Sequence, residues 1–130
     1  MKKINKFLVL SFVFILCIGF MESVSYADKY EDRTAYINSA RCKIDIDDGE
    51  LVVNGICSAR EGKTIYGEIT IQRKGWFSWS DVEKFDFTGY NGELYAEEFV
   101  SLSETGKYRA KFTVTCGGET YSVYSNEEKY

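Results

Sequence analysis

From residue 36 onward, apolar residues recur at every second position in short runs, separated by Gly, Asn, Asp and Ser. A period of two belongs to a half-buried β-strand, whose successive side chains point to opposite faces. No stretch long enough for a helix carries a 3.6-residue period. The chain has no proline, so every turn must be made by residues that tolerate unusual backbone angles or hydrogen-bond to their own backbone.

Seven strands follow from this pattern, over residues 37–46, 51–59, 64–73, 79–87, 94–102, 108–116 and 119–125. Asp48-Gly49, Asn91-Gly92 and Gly117-Gly118 are turn signals between them. In the fourth run the apolar spacing of Trp79, Val82, Phe85 and Phe87 breaks alternation once, which predicts a β-bulge. The predicted core is Ile44, Val53, Ile69, Ile71, Trp79, Phe85, Tyr108, Phe112 and Val114. Seven short strands with frequent turns predict an all-β, seven-stranded antiparallel immunoglobulin-like sandwich.

The residues before that pattern are of another kind. Lys2, Lys3 and Lys6 precede an apolar run over residues 7–20, and Ser25-Tyr26-Ala27 then places small residues where a signal peptidase cuts. This is the three-part plan of a secretory signal, and the run is shorter than the roughly 20 residues of a membrane-spanning helix. Cys17 lies inside the run after Leu16, where a lipid-attachment motif requires a small residue. The predicted organisation is a signal peptide (1–27), a flexible leader (28–35), a β-sandwich domain (36–126) and a charged tail (127–130). The mature protein is secreted and has no membrane span. Cleavage removes three lysines and Glu22 from 16 Lys and Arg and 20 Asp and Glu, leaving 13 and 19, a net charge of −6. Such a domain is a poor partner for nucleic acid, whose affinity comes from cationic contacts to phosphate.

Two resemblances sharpen this reading. Residues 102–112, with Leu102 ending one strand and Tyr108 opening the next, resemble the tyrosine corner of fibronectin type III and immunoglobulin domains. Glu104 stands where the fibronectin version has proline. The resemblance implies a core tyrosine whose hydroxyl ties back to the preceding loop. Over nearly the whole mature chain, Cys42, Cys57, Ile71-Gln72-Arg73, then Trp79 with Val82 and Phe85, then Gly106 with Tyr108 and Arg109, resemble a family of short secreted proteins of Gram-positive, clostridia-type bacteria. That resemblance implies fold and export rather than an activity. Cys116 and Trp76-Phe77 fall outside its pattern.

Catalytic chemistry finds little support. There is no histidine, which removes Ser-His-Asp and Cys-His mechanisms and His-ligated metal sites. The acidic turn at 45–50 misses the EF-hand register and reads as a hairpin turn. Glu97 and Glu98 are adjacent on a strand and point to opposite faces, so they form no carboxylate pair. The chain is therefore read as non-enzymatic, with no cofactor and no metal. Its candidate contact residues are Trp76 and Phe77, which lie in a hairpin loop beside Lys74 and Gly75; exposed aromatics there bind protein or glycan partners, and the alternative is that they fold back over the sandwich edge. The function this implies is an extracellular binding module, with a carbohydrate-binding domain as the alternative and a small hydrolase behind both.

Three cysteines survive cleavage, and extracellular thiols tend to pair. The first two strands are joined by a tight turn. If Gly49-Glu50 are its central residues, Cys42 lies directly opposite Cys57. If Asp48-Gly49 are central, the two are diagonal neighbours on one face. A Cys42–Cys57 disulfide is expected, leaving Cys116 unpaired and able to join two chains, or else serving as the alternative partner of Cys57. Export is checked by N-terminal sequencing of secreted protein, which should begin at Asp28. A start displaced by more than a few residues, or a lipid on Cys17, would overturn it.

Overall fold

The computed structural model describes residues 35–130. The signal peptide, Cys17 and all but the last residue of the predicted leader lie outside the described residues. Among those described, every regular element is a strand: β1 (Ile37–Asp47), β2 (Glu50–Ala59), β3 (Ile65–Lys74), β4 (Trp79–Gly89), β5 (Glu93–Ser101), β6 (Lys107–Cys116), β7 (Glu119–Tyr124) and β8 (Glu128–Lys129). They form two antiparallel sheets, one in the order β1-β2-β5 and the other β4-β3-β6-β7, with β8 also paired to β6.

Alternation decides what lies between the sheets. Along β6 every second residue is buried: Tyr108, Ala110, Phe112, Val114 and Cys116. The same rule buries Ile65, Ile69 and Ile71 on β3, Leu51, Val53 and Cys57 on β2, and Leu94, Ala96 and Val100 on β5. Phe112 sits at the centre because two glycines make room for it. A Cβ on Gly55 of the facing sheet would lie 3.0 Å from the Phe112 ring, and one on Gly67 of β3 would lie 3.0 Å from its other edge.

The structure selects one of the two turn registers and corrects the face of Trp79. The β1–β2 turn is centred on Asp48 and Gly49, both at positive φ (52° and 76°), with Asp47 opposite Glu50. Two positive φ angles make the type I′ turn, whose twist matches that of the flanking strands. Cys42 therefore lies opposite Gly55, and Cys57 opposite Ala40. Cys42 and Cys57 are thus diagonal neighbours, as the second of the two registers requires.

Trp79 is not core. The β3–β4 register shifts between Ile71 and Gln72, with Ile71 opposite Glu83 and Gln72 opposite Asp81, so Val82 is the extra residue of the predicted bulge. One inserted residue moves everything beyond it to the other face, and Trp79 goes to the outer side. Phe85, on the other side of the bulge, packs against the core while remaining half-buried, because β4 is the edge of the wider sheet.

The residues after β7 close the fold, with β8 paired to β6. Tyr130 exchanges two backbone hydrogen bonds with Gly106 (2.9 and 3.0 Å). The Asn126 side chain both accepts from the Ile44 amide (2.9 Å) and donates to the Ile44 carbonyl (3.0 Å). An amide side chain offers both donor and acceptor groups, so it completes the edge of β1 as a strand would.

Truncating Phe112 to Ala should cost about 3–5 kcal/mol in urea or thermal unfolding, because its cavity is walled by backbone that cannot collapse inward. A loss below about 1 kcal/mol would show that the ring is not central to packing.

Candidate binding surface

The β3–β4 hairpin ends in a four-residue loop, Gly75 to Ser78, closed by a hydrogen bond from the Gly75 amide to the Ser78 carbonyl (2.8 Å). A Cβ at Gly75 would lie 3.1 Å from that same carbonyl oxygen, so the closure favours glycine. Trp76 and Phe77 occupy the tip and are 96% and 98% exposed. Their ring centroids are 6.2 Å apart and the planes are tilted by 51°. They do not fold back over the sandwich.

What holds this tip is a lattice on the outer face of the wider sheet. Beyond the bulge, Trp79 meets the guanidinium of Arg109, whose carbon lies 4.2 Å from the indole centroid and 4.2 Å from that of Tyr124. A planar cation stacks on aromatic faces in a way that ammonium does not. Arg109 Nε donates to Gln72 Oε1 (2.8 Å), and Gln72 Nε2 donates to Asp81 Oδ1 (2.9 Å). Gln72, Trp79 and Arg109 were separate motif positions in the sequence. The structure brings them into one cluster at the root of the hairpin.

A second clamp holds the neighbouring loop. Tyr108 is buried, and its hydroxyl donates to the Glu104 carbonyl (2.6 Å). Arg73, at the end of β3, donates from Nε and Nη2 to the Thr105 carbonyl (3.0 and 2.7 Å) and pairs with the Glu104 carboxylate (3.1 Å). Sequence reasoning identified Tyr108 and missed Arg73; its odd position, on the inward parity of β3 but past the core, was the available signal.

The narrower sheet exposes a different aromatic group. Ile56, Tyr95 and Phe99 stand on its outer face, 46%, 65% and 57% exposed. Tyr95 is opposite Ile56, and Phe99 opposite Val52. Between these rows, the Tyr95 hydroxyl donates to Glu97 (3.0 Å) and reaches Asn54 (3.4 Å). The bond to Glu97 raises the Tyr95 pKa above its usual value.

Cys57 and Cys116 face the core, away from the outer faces that carry the aromatic groups. Cys42 is half-buried, and burial pushes its thiol up to about 12, opposed by a hydrogen bond from the Lys43 amide. Burial pushes Cys57 up to about 11, and a charge on Cys116 adds to the shift. Among the described residues, no group of three or more Cys, Asp or Glu is placed to hold a metal ion.

No protein-family model and no curated protein matches the chain. Among solved structures it is similar to the solution structure of R. palustris CsgH, with 18% identity and a TM-score of 0.39, over 67% of this chain and 89% of that one.

Arg109→Ala should lower stability by about 1–2 kcal/mol, the sum of two partly exposed stacking contacts. Trp79 fluorescence should shift to the red as its ring meets water, and Arg109→Lys should recover only part of either effect. Unchanged emission in Arg109→Ala would show that the stack does not form.

Proposed function

We propose that this chain is a secreted, non-enzymatic binding module that engages an extracellular protein through the β3–β4 hairpin tip. The strand order β1-β2-β5 over β4-β3-β6-β7, with a tyrosine bonded back to its preceding loop, supports a fibronectin type III-like sandwich as the scaffold. The observation that carries the proposal is the exposure of Trp76 and Phe77, both above 95%, on a hairpin whose root is stacked and hydrogen-bonded. Aromatic side chains supply large contact area with few rotatable bonds and dominate protein hot spots. A root that is already ordered lowers the entropic cost of binding. The tilt between the two rings suits a pocket better than the flat face of a sugar. The net charge of −6 for residues 28–130 opposes nucleic acid as the ligand.

A glycan is the second reading, and the outer face of the narrower sheet favours it. Tyr95 and Phe99 lie on one strand face with Asn54 and Glu97 beside them, which combines stacking surface with hydrogen-bonding groups.

Paired variants separate the two. Trp76→Ala with Phe77→Ala should leave the melting temperature within a few degrees of the parent and abolish capture of proteins from the medium and walls of the secreting cells. A fall of roughly 10 °C or more would mean the pair is structural. Capture that survives this change, together with polysaccharide retention that is lost in Tyr95→Ala with Phe99→Ala, would replace the protein reading with the glycan one.

A further inference from the structure

The sequence pointed first to Cys42 as the partner of Cys57, but the tertiary structure favours a thiol on the other sheet. Cys57 lies near the end of β2, between Ala40 on β1 and Leu94 on β5, and faces the core. Cys116 is the last residue of β6 and also faces the core. Both are 1% exposed.

Contacts on two sides show that these strand ends share one pole of the sandwich. On one side, a Cβ at Gly67 would lie 2.6 Å from Leu94 Cδ2, so the sheets meet closely there. Gly67 is the cross-strand neighbour of Val114, the inward residue before Cys116, and Leu94 is that of Cys57. On the other side, a Cβ at Gly117, next to Cys116, would lie 2.9 Å from the Tyr36 ring. The Tyr36 carbonyl accepts from the Arg60 amide (2.9 Å), three residues past Cys57, and the Tyr36 amide donates to Glu119 (3.2 Å) on β7. Cys57 and Cys116 are therefore bracketed between the same two contacts.

We infer that Cys57 and Cys116 form an inter-sheet disulfide in the exported protein, leaving Cys42 as the unpaired thiol. The inference rests on the export reading only for its oxidant. In antibody domains the inter-sheet bridge uses a cysteine two residues after the corner tyrosine; here that position is Ala110, so this bridge lies nearer the opposite pole.

The chemistry is thiol–disulfide exchange with a disulfide oxidant. The thiolate of one cysteine attacks a sulfur of the oxidant, forming a mixed disulfide and releasing one reduced thiol. The second cysteine then attacks the protein sulfur of that mixed disulfide and expels the other half. Two cysteine S–H bonds and one oxidant S–S bond are replaced by one protein S–S bond and two reduced thiols. Burial suppresses the Cys57 thiolate in the folded protein, so the bridge forms while the strands are still closing, and the folded reduced protein oxidises much more slowly.

The test uses the full chain with Cys17→Ser, refolded from denaturant in oxidised and reduced glutathione, then digested without reduction. A peptide linking Cys57 to Cys116, with Cys42 open to alkylation once unfolded, is the expected result. The oxidised protein should melt roughly 10 °C or more above the reduced one. Adding Cys42→Ser should leave the bridge and the gain in place, and Cys57→Ser or Cys116→Ser should remove both. If either of those two variants fails to fold, Cys42→Ser alone decides, since its oxidised form must be a monomer with no free thiol. A Cys42–Cys57 peptide, a Cys116–Cys116 dimer or three free thiols would each overturn the inference. A bridge that forms on refolding but is missing from the protein made in cells would count against export and leave the pairing intact.

Discussion

Phe112 meets both sheets across the absence of two side chains. Its ring lies against Gly55 of the facing sheet and Gly67 of the neighbouring strand, where a Cβ would come within about the limit of contact. The spacing of the sheets at their centre follows from that. With Phe112 in place, the alternating residues of β2, β3, β5 and β6 interdigitate around it, and the interior among the described residues contains no unpaired buried side-chain polar atom. A residue larger than glycine at either position would have to push the ring aside, and a close-packed core transmits such a shift.

The two poles of the sandwich are finished differently. At the start of β6, polar contacts dominate: the Tyr108 hydroxyl, the Arg73 guanidinium and the Tyr130 backbone all converge on the loop between β5 and β6. The pole at the end of β6 holds buried thiols and the Tyr36 ring. Both arrangements restrain a short domain whose single core supplies limited stability. The hydrogen-bonded pole lies beside the root of the β3–β4 hairpin, since Arg73 precedes Lys74 directly. A rigid loop there and a stacked lattice on the outer face give the exposed tip a fixed platform.

That lattice exists because of one extra residue. Were Val82 paired in regular register with Gln72 instead of bulged, Trp79 would share the inward face with Phe85, and Arg109 would lose one of its two aromatic partners. The bulge therefore takes a large apolar ring out of the core and uses it to stiffen the surface. It also separates two roles for tryptophan in one hairpin, with Trp79 as the support and Trp76 as the exposed group.

Much of this was legible in the chain itself. Period-two alternation, read with turn residues, located seven of the eight strands to within a residue or two and seven of the nine proposed core positions, because local backbone geometry dictates which side chains share a face. The hairpin position of Trp76 and Phe77 was visible for the same reason, and the corner tyrosine from the resemblance of residues 102–112 to fibronectin type III domains. Tertiary structure decided the rest. Whether Asp48 or Glu50 joined Gly49 in the turn depended on matching the twist of two long strands, and that one-residue choice placed Cys42 against Gly55. The face of Trp79 depended on a bulge whose position only the partner strand defines. Cys57 and Cys116 lie far apart in sequence, and only the stacking of one sheet on the other brings their strand ends to one pole, since alternation specifies which way a residue points but not what it meets across the core.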